Sequence, residues 1–321
     1  MKKYIVSSQE SGQTLEKYVR KALSSAPLSF IYKLFRKRDI KVNGVRQNNK
    51  YVIKENDILE IYITDAQVEE FESHKGFEAD NEIEPLIVYE DANILAVNKP
   101  RGTLVQKDSN SGFALDDKVI NYLIYKNEYN PNDQTAFTPG PAHRLDRNTS
   151  GLVLFGKNNQ TLQYLFSLFK DHNHIEKHYL VLVIGTIDED GEINIPLKKD
   201  EKANKVFPSS LKEGGKTAKT IYKVVRKFKK YTLLDVTLVT GRTHQIRVHF
   251  AFIGHPVVGD SKYGDFALND SFNKEYHFKN QFLHAYKIIF KDLIAPLEYL
   301  SNKEIRAEIG SNMKSILDSL E

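Results

Sequence analysis

A single carboxylate stands between two arginines in the stretch Ala142-His143-Arg144-Leu145-Asp146-Arg147-Asn148-Thr149-Ser150-Gly151-Leu152. The plain interpretation is a loop before a strand, with Arg144 or Arg147 paired to Asp146. The same arginines would keep Asp146 ionised, which suits a nucleophile or base that works beside anionic phosphate. Residues 149–151 add short hydrogen-bonding groups and a permissive backbone where a substrate could approach. The stretch is therefore the candidate reaction centre.

Strand patterns predominate on both sides of this stretch. Apolar runs cover residues 86–89, 94–97, 152–155, 179–184 and 221–225, and residues 232–238 alternate as a strand does. Two helices are predicted, one with an apolar stripe over residues 162–169 and one from Ile246 to Ile253 that ends at Gly254. Because successive strands lack regular crossover helices, we expect an α+β fold with a mixed or antiparallel sheet, not a doubly wound one.

Composition limits the class of protein. The 321 residues include no cysteine, which excludes disulfides, Cys-ligated zinc, iron–sulfur clusters and thiol nucleophiles, and predicts a reducing compartment. The sequence has neither a signal-peptide pattern nor a run of 18 apolar residues. We therefore expect a cytoplasmic protein that makes no membrane contact.

Charge divides the chain into three parts. Residues 1–63 carry 13 basic and 6 acidic side chains, residues 64–85 carry 1 and 8, and the remaining 236 residues carry 32 and 28. The acidic part lacks a sustained apolar period and is predicted to be a solvated linker. We expect a small basic domain at residues 1–63, an acidic linker at 64–85 and a catalytic domain at 86–321.

The basic N-terminal part contains two amphipathic helix patterns, at residues 15–23 and 28–35. Four residues at the second pattern, which we call the basic ridge, are Lys33, Arg36, Lys37 and Arg38. A hairpin follows, with Lys41 before its turn and Asn43-Gly44 at the positions that require positive φ. This order of elements resembles the S4 RNA-binding domain, which implies that the basic ridge and Lys41 bind structured RNA. The opposing interpretation is an ordinary solvated face.

Two further patterns carry no function. Gly214-Gly215-Lys216-Thr217 lacks the glycine that a P-loop needs five residues before Gly215, where Ser210 stands. His172, His174 and His178 have no matching carboxylate frame and are interpreted as a polar helix end or turn. No metal and no cofactor is predicted.

Taken together, the motifs resemble the RluA family of pseudouridine synthases. His143 to Asp146, followed by Thr149 to Gly151, is similar to the catalytic signature of that family. Similar motifs follow the family order at residues 89–91, 97–102, 177–179, 241–249, 254–256, 259–260 and 283–285. The resemblance implies an isomerase that converts uridine to pseudouridine in RNA. That reaction breaks the N1–C1′ bond and joins C5 to C1′, without redox change, metal or cofactor.

The resemblance also implies roles for particular residues. Asp146 would be the essential carboxylate, either as nucleophile or as the base that removes the ribose C2′ proton. Tyr179 would stack on the uracil and relay the C5 proton, and Arg247 would pair with the carboxylate. Arg144 would enter the RNA stack that the target nucleotide leaves. Other RNA contacts are expected from Arg147, Lys99, Arg101 and Arg242, whereas His143, His244 and His249 are expected to be structural.

Three alternatives stay open at this point. A hydrolytic glycosidase also attacks C1′, but it would need a pair of carboxylates. A ribosome-assembly factor would bind RNA with its catalysis dispensable, and a tRNA-directed synthase of the same family would use the same chemistry. We expect a monomer that acts on large-subunit ribosomal RNA, because family members with an S4-like module commonly do so.

Overall fold

The computed structural model describes residues 1–71, 78–107, 114–131 and 136–320. Its backbone contacts divide the chain into two compact units. The first unit consists of Met1–Leu95, Gln106–Ala142 and Leu154–Ser167, and the second of Ala96–Val105, His143–Val153 and Leu168–Glu321. In the part of the chain that is described, no helix has the length and apolar character needed to cross a membrane.

The N-terminal residues of the first unit form two helices and a small antiparallel sheet. In chain order the elements are β1 (Lys2–Ile5), α1 (Leu15–Ala22), α2 (Leu28–Lys37), β2 (Ile40–Val42), β3 (Val45–Arg46) and β4 (Ile58–Ile61), with strand order β1-β4-β2-β3. Thr14 caps α1 through its side chain, and Arg38 ends α2 with a φ of 59°. Asn43 and Gly44 turn the hairpin with φ values of 50° and 76°. Both predicted helices and the hairpin are confirmed.

The predicted acidic linker begins as a helix, α3 (Asp65–Phe71). Phe71 at its end is buried, and its ring centroid lies 4.9 Å from that of Phe30 on α2. Ile83 is also buried. The prediction of a solvated segment is therefore corrected at these places, because single apolar side chains anchor a stretch that has no apolar period. Residues 72–77 of the predicted linker lie outside the described residues.

The rest of the first unit packs with its N-terminal residues. In chain order come β5 (Ile87–Glu90), β6 (Ile94–Lys99), α4 (Leu115–Tyr125), β7 (Gly140–Pro141), β8 (Ser150–Gly156) and α5 (Asn159–Asp171), of which β6, β8 and α5 also contribute residues to the second unit. The Glu10 carboxylate accepts the Ala136 N–H at 2.8 Å, and the Gln9 amide donates to the Glu128 carbonyl at 2.8 Å. Residues on both sides of the predicted boundary at 63 thus belong to one compact unit. Independent folding of residues 1–63 stays a prediction.

The second unit contains a mixed sheet. Its remaining elements are β9 (Ile175–Ile184), β10 (Gly191–Asn194), β11 (Leu197–Asp200), β12 (Lys205–Pro208), β13 (Lys219–Lys227), β14 (Tyr231–Leu238), α6 (Gln245–Phe252), α7 (Phe266–Tyr276), β15 (Leu283–Phe290), β16 (Glu304–Arg306) and α8 (Ser311–Ser319). The order β10-β13-β14-β9-β15-β8 is antiparallel except for the parallel pair β15–β8, and β16 pairs with β15. This architecture confirms the predicted α+β fold with a mixed sheet.

Strand β9 presents alternate residues to two apolar clusters. Val181 and Val183 pack in a cluster with Ile246 and Phe250 of α6. Leu182 belongs to a different cluster, which includes residues of α7 and α8. Because successive strand side chains point to opposite faces, Tyr179 shares the α6 face with Val181 and Val183. This parity brings Tyr179 to the helix that carries Arg247.

Candidate active site

The candidate carboxylate, Asp146, lies in a tight loop immediately before β8. Its carbonyl accepts the Thr149 N–H at 3.0 Å, and its side chain is 28% exposed. A cavity of about 750 Å³ in the second unit is lined by the loop from His143 to Thr149, by Lys177 and Tyr179 of β9, and by residues 241–247. Asp146 therefore faces a space that can hold a substrate group.

Arg247 of α6 lies between two carboxylates. Its Nη1 donates to Asp146 Oδ2 at 2.9 Å, while Nε and Nη2 donate to the two oxygens of Asp260 at 2.6 and 2.9 Å. Burial by itself would lower the pKa of Arg247, but the hydrogen bonds and charges of Asp260 and Asp146 raise that pKa above its ordinary value. Arg247 is thus a fixed cation that orients one oxygen of Asp146.

The other oxygen of Asp146 is open to a substrate. Among the described residues, Oδ1 of Asp146 has no hydrogen-bond partner, whereas Oδ2 is held by Arg247. The flanking Arg144 and Arg147 are exposed and form no ion pair with Asp146 in the described structure. The plain expectation of a local pair is therefore corrected. The cation that holds Asp146 comes from a helix 101 residues away in the chain.

Tyr263 and His244 form a hydrogen-bonded pair that lies next to Asp146. The backbone N–H of Val206 donates to the Tyr263 hydroxyl at 2.9 Å, and that hydroxyl lies 2.8 Å from His244 Nδ1. Donation by the hydroxyl to Nδ1 leaves the hydrogen of neutral His244 on Nε2, which lies 3.8 Å from Asp146 Oδ2. Burial lowers the pKa of His244, and Asp146 partly offsets that effect. His244 was predicted to be structural, and its ring contacts are consistent with orienting the carboxylate.

Tyr179 is a buried phenol on the wall of the cavity. Its side chain is 8% exposed, and burial together with the charge of Asp146 raises its pKa. The phenol therefore stays protonated at neutral pH. It can stack on a base or donate a hydrogen bond, but it cannot readily accept a proton.

Ser150 and Gly151 anchor the start of β8 and do not line the cavity, whereas Thr149 is buried in the cavity wall. Thr149 and Ser150 are buried, with Ser150 Oγ 2.8 Å from His284 Nδ1. Gly151 has a φ of 112°, and an added Cβ would lie 2.6 Å from the Ala285 backbone nitrogen. The expectation of substrate contact is corrected for Ser150 and Gly151, since these small residues are needed for the close approach of β8 to β15.

Lys99 also has a structural position. Its side chain is fully buried, and Nζ donates to the carbonyls of Pro100, Thr103 and Arg147 at 2.9 to 3.1 Å. Burial lowers its pKa to about 7, an effect that Asp146 partly offsets. The predicted phosphate contact is corrected, because a buried ammonium bonded to three carbonyls has no access to a phosphate. Lys99 instead joins residues 100–103 to the loop that carries Asp146.

The other predicted RNA contacts of the second unit are arginines. Arg144, Arg147 and Arg242 are exposed and line the cavity. The Nε groups of Arg147 and Arg242 donate to the carbonyls of Gly102 and Thr217, both at 3.0 Å. Arg101 is less accessible: its guanidinium lies 3.9 Å from the Phe278 ring centroid, and burial lowers its pKa to about 10.

The basic ridge lies in the first unit. Lys33, Arg36, Lys37 and Arg38 are all exposed. Lys41 is partly buried, with Nζ 5.1 Å from the centroid of the Tyr62 ring. The structure thus leaves the charges of the basic ridge accessible to a large anionic ligand.

Sequence analysis missed two members of the site. Asp260 belongs to the motif at residues 259–260, but its distance in sequence from Arg247 did not indicate that the two side chains form a bidentate ion pair. Lys177 also lines the cavity, but it was read only as part of a motif. His172, His174 and His178 contact different partners, namely Lys177, the Lys291 carbonyl and Asp235.

Comparison with known proteins assigns the class. The family described as RNA pseudouridylate synthase matches residues 93–252, which include Asp146, Tyr179 and Arg247. An uncharacterized RNA pseudouridine synthase of Mycoplasma capricolum is 35% identical over 311 residues, which cover 95% of this chain and 97% of that protein. The chain therefore belongs to the RNA pseudouridine synthases, isomerases that convert uridine to pseudouridine in RNA.

Individual relatives carry more specific names. Ribosomal large subunit pseudouridine synthase C of Vibrio vulnificus is 30% identical over 318 residues, covering 97% of this chain and 93% of that protein. The protein of the same name from Vibrio cholerae is 32% identical over 284 residues, which cover 87% of this chain and 85% of that protein. Among solved structures, human RNA Pseudouridylate Synthase Domain Containing 4 has a TM-score of 0.57 at 20% identity, covering 74% of this chain and 95% of that chain. This last similarity supports the fold alone.

Proposed function

We propose that the enzyme isomerises specific uridines of large-subunit ribosomal RNA, with Asp146 as its catalytic carboxylate. The observation that carries the chemistry is the geometry of Asp146, which lines the cavity and whose Oδ2 is held by Arg247 while Oδ1 has no partner in the described structure. The names of several relatives that cover most of this chain support the choice of RNA.

The chemistry needs one ionised carboxylate beside the ribose of an extruded nucleotide. Asp146 would attack C1′ or the base as a nucleophile, or remove the C2′ proton to give a glycal. In either route the N1–C1′ bond breaks, the uracil turns, C5 joins C1′, and the C5 proton is finally replaced by one on N1. Arg247 stabilises the charged form of Asp146 in both routes.

Tyr179 and Arg144 would hold the nucleotide outside its stack. The buried, protonated phenol of Tyr179 favours stacking on the uracil over accepting the C5 proton. Arg144 is exposed at the cavity and has no partner among the described residues, so its planar guanidinium is available to fill the vacated position in the RNA.

The decisive experiment compares pseudouridine maps of ribosomal RNA and tRNA in cells with and without the gene, rescued by wild type or by Asp146→Asn. We expect deletion to remove pseudouridine from large-subunit ribosomal RNA, with rescue by wild type and by the exposed control Asp270→Asn. Asp146→Asn should lower the rate of isomerisation by about a thousandfold or more. Loss of pseudouridine from tRNA alone would establish the tRNA alternative, and full rescue by Asp146→Asn would contradict the catalytic role of Asp146.

The N-terminal residues would act as an S4-like RNA-binding module. Replacing Arg36 and Lys37 by Gln should weaken binding to a transcript of large-subunit ribosomal RNA. The slope of log affinity against log salt should fall by about 0.7 for each lost phosphate contact. The double variant Lys274→Gln, Lys279→Gln removes the same charge from exposed positions outside the module and should bind normally. Equal salt slopes in the two double variants would show that the basic ridge is only a solvated face.

We further propose that the enzyme is a monomer in the cytoplasm, where its ribosomal substrate would be found. Asp146, Tyr179, Arg247 and Asp260 all come from one chain, so the site needs no second copy. Light scattering of the purified protein tests the monomer, and a dimeric mass would contradict it.

A further inference from the structure

Lys177 of β9 places a buried ammonium group in the wall of the cavity. Its side chain is 7% exposed, and Nζ lies 3.0 Å from His172 Nδ1. Among the described residues, no carboxylate forms an ion pair with it. Lys157 is buried to the same extent but is paired with both Glu90 and Glu128. A buried charge of this kind ordinarily has a counter-ion, and the described residues provide none for Lys177.

Other hydrogen-bond donors surround the same part of the cavity. Because His172 Nδ1 accepts from Lys177, the hydrogen of the neutral His172 ring lies on Nε2. Burial, Lys177 and Arg242 all lower the pKa of His172, so two cations lie near this ring. Arg242 uses Nε for the Thr217 carbonyl, which leaves its terminal nitrogens available. Lys177, His172 and Arg242 all line the cavity.

Gly241 leaves space between these donors. A Cβ added at Gly241 would lie 3.4 Å from His172 Cε1 and 3.8 Å from Lys177 Nζ. A ligand oxygen in that space would therefore lie close to hydrogen-bonding distance of the ammonium group. The backbone of Gly241 does not have a positive φ, so a side chain could be introduced here without the strain of a left-handed conformation.

We propose that Lys177, His172 and Arg242, arranged around Gly241, form a binding site for one phosphodiester group of the RNA. This inference rests on the proposed function, because the phosphate would flank the nucleotide whose ribose reaches Asp146. Phosphate supplies the counter-ion that Lys177 lacks, and its several oxygens can accept from ammonium, imidazole and guanidinium together. Lys177 and His172 are thereby assigned as RNA-positioning residues that sequence analysis did not identify.

The first test introduces a competing anion. Gly241→Asp would place a carboxylate next to Lys177 and take the position of the phosphate, whereas Gly241→Asn adds a side chain of the same shape without the charge. We expect Gly241→Asp to weaken binding to a transcript of large-subunit ribosomal RNA about tenfold and to lower the salt slope by about 0.7. Gly241→Asn should have a clearly smaller effect. Equal affinities and salt slopes for the Asp and Asn variants would overturn the proposal.

The second test changes the ammonium group itself. Lys177→Met should weaken RNA binding about tenfold and raise KM with kcat nearly unchanged at saturating RNA, while Lys177→Arg should keep most of the affinity. Lys274→Met is the exposed control and should behave as wild type. A loss confined to kcat, or no loss at all, would contradict phosphate binding. Thermal unfolding shows whether Lys177→Met folds. If it does not fold, the comparison of Gly241→Asp with Gly241→Asn decides whether this site binds phosphate.

A third measurement separates this inference from the proposed function. Inorganic phosphate is titrated into the full-length protein while NMR follows the ring signals of His172, in wild type and in Gly241→Asp. Phosphate should shift these signals only in the wild type. If the wild type forms no pseudouridine in ribosomal RNA but shows this shift, the proposed substrate is wrong and the anion site stands. Active enzyme with no shift, and with equal RNA binding by the Gly241 variants, would remove the anion site alone.

Discussion

Arg247 links the candidate catalytic carboxylate to a second carboxylate that is completely buried. Replacing Arg247 by Met would leave Asp260 without its cation, although Asp260 would still accept the N–H groups of Lys262 and Tyr263. We expect Arg247→Met to lower the free energy of unfolding by about 3–5 kcal/mol, because an unpaired charge would remain buried. Denaturation in urea measures this loss, and adding Asp260→Asn should recover part of it.

The matched control for this prediction is Arg242→Met. Arg242 is exposed, so the change should alter the free energy of unfolding by no more than about 0.5 kcal/mol. Equal stability of Arg247→Met and wild type would show that Asp260 does not depend on its partner.

The charge of Lys177 predicts a pH dependence of RNA binding. Burial lowers the pKa of this ammonium group to about 8, so it is charged below that pH and neutral above it. Its charge acts on His172 and His143, and Arg242 and Asp171 also act on His172; burial holds the pKa of both histidines below the ordinary value, that of His143 at about 3. RNA affinity should therefore fall between pH 7 and 9. The fall should be smaller in Lys177→Met, and identical pH profiles of the two proteins would refute this role.

Strand β8 depends on a glycine where it approaches β15. At Gly151 a Cβ would meet the backbone of Ala285, and the φ of 112° is itself unfavourable for other residues. We expect Gly151→Ala to lower the free energy of unfolding by about 3 kcal/mol or more. Gly102→Ala is the control, because Gly102 also has a positive φ, of 85°, but has open space around it. This change should lower the free energy of unfolding by roughly 1–2 kcal/mol. Similar losses for both would show that the approach of the strands is not critical.

Most of the helices that were predicted have one polar face. Helices α1, α2 and α5 have an apolar stripe and were found, whereas α6 was found from the spacing of Ile246, Phe250 and Ile253 although six of its eight residues are buried. Most residues of α4 are buried, so its sequence lacks a contrasting polar face, and α7 has only Phe272 buried. Neither α4 nor α7 has an apolar period of 3.6 residues, because that pattern arises only when one face of a helix is buried and the other is exposed. In α8, Met313, Ile316 and Leu317 do have helical spacing, but this pattern covers only five residues.

The N-terminal residues belong to the same compact unit as residues 106–142, which predicts that they stabilise each other. Deleting residues 1–63 removes the hydrogen bonds of Gln9 with Glu128 and of Glu10 with Ala136, and exposes apolar neighbours such as Ala136. We expect the free energy of unfolding to fall by about 2 kcal/mol, which would lower Tm by about 4–8 °C. Calorimetry of the shortened and full-length proteins measures the shift. An unchanged Tm would instead support an independent domain at residues 1–63.

The sequence by itself determined the class of reaction and indicated a candidate carboxylate. The order of motifs around Asp146 indicated an RNA pseudouridine synthase, and apolar periodicity indicated a mixed α+β fold, because both depend on residues close together in the chain. Only the tertiary structure decided which cation holds that carboxylate. Arg144 and Arg147 are neighbours of Asp146 in sequence but form no ion pair with it among the described residues, while packing of α6 near β9 brings Arg247 to it. Tertiary contacts also bury Lys99 among backbone carbonyls and, among the described residues, leave Lys177 without a carboxylate, since burial and pairing depend on contacts that local sequence does not encode.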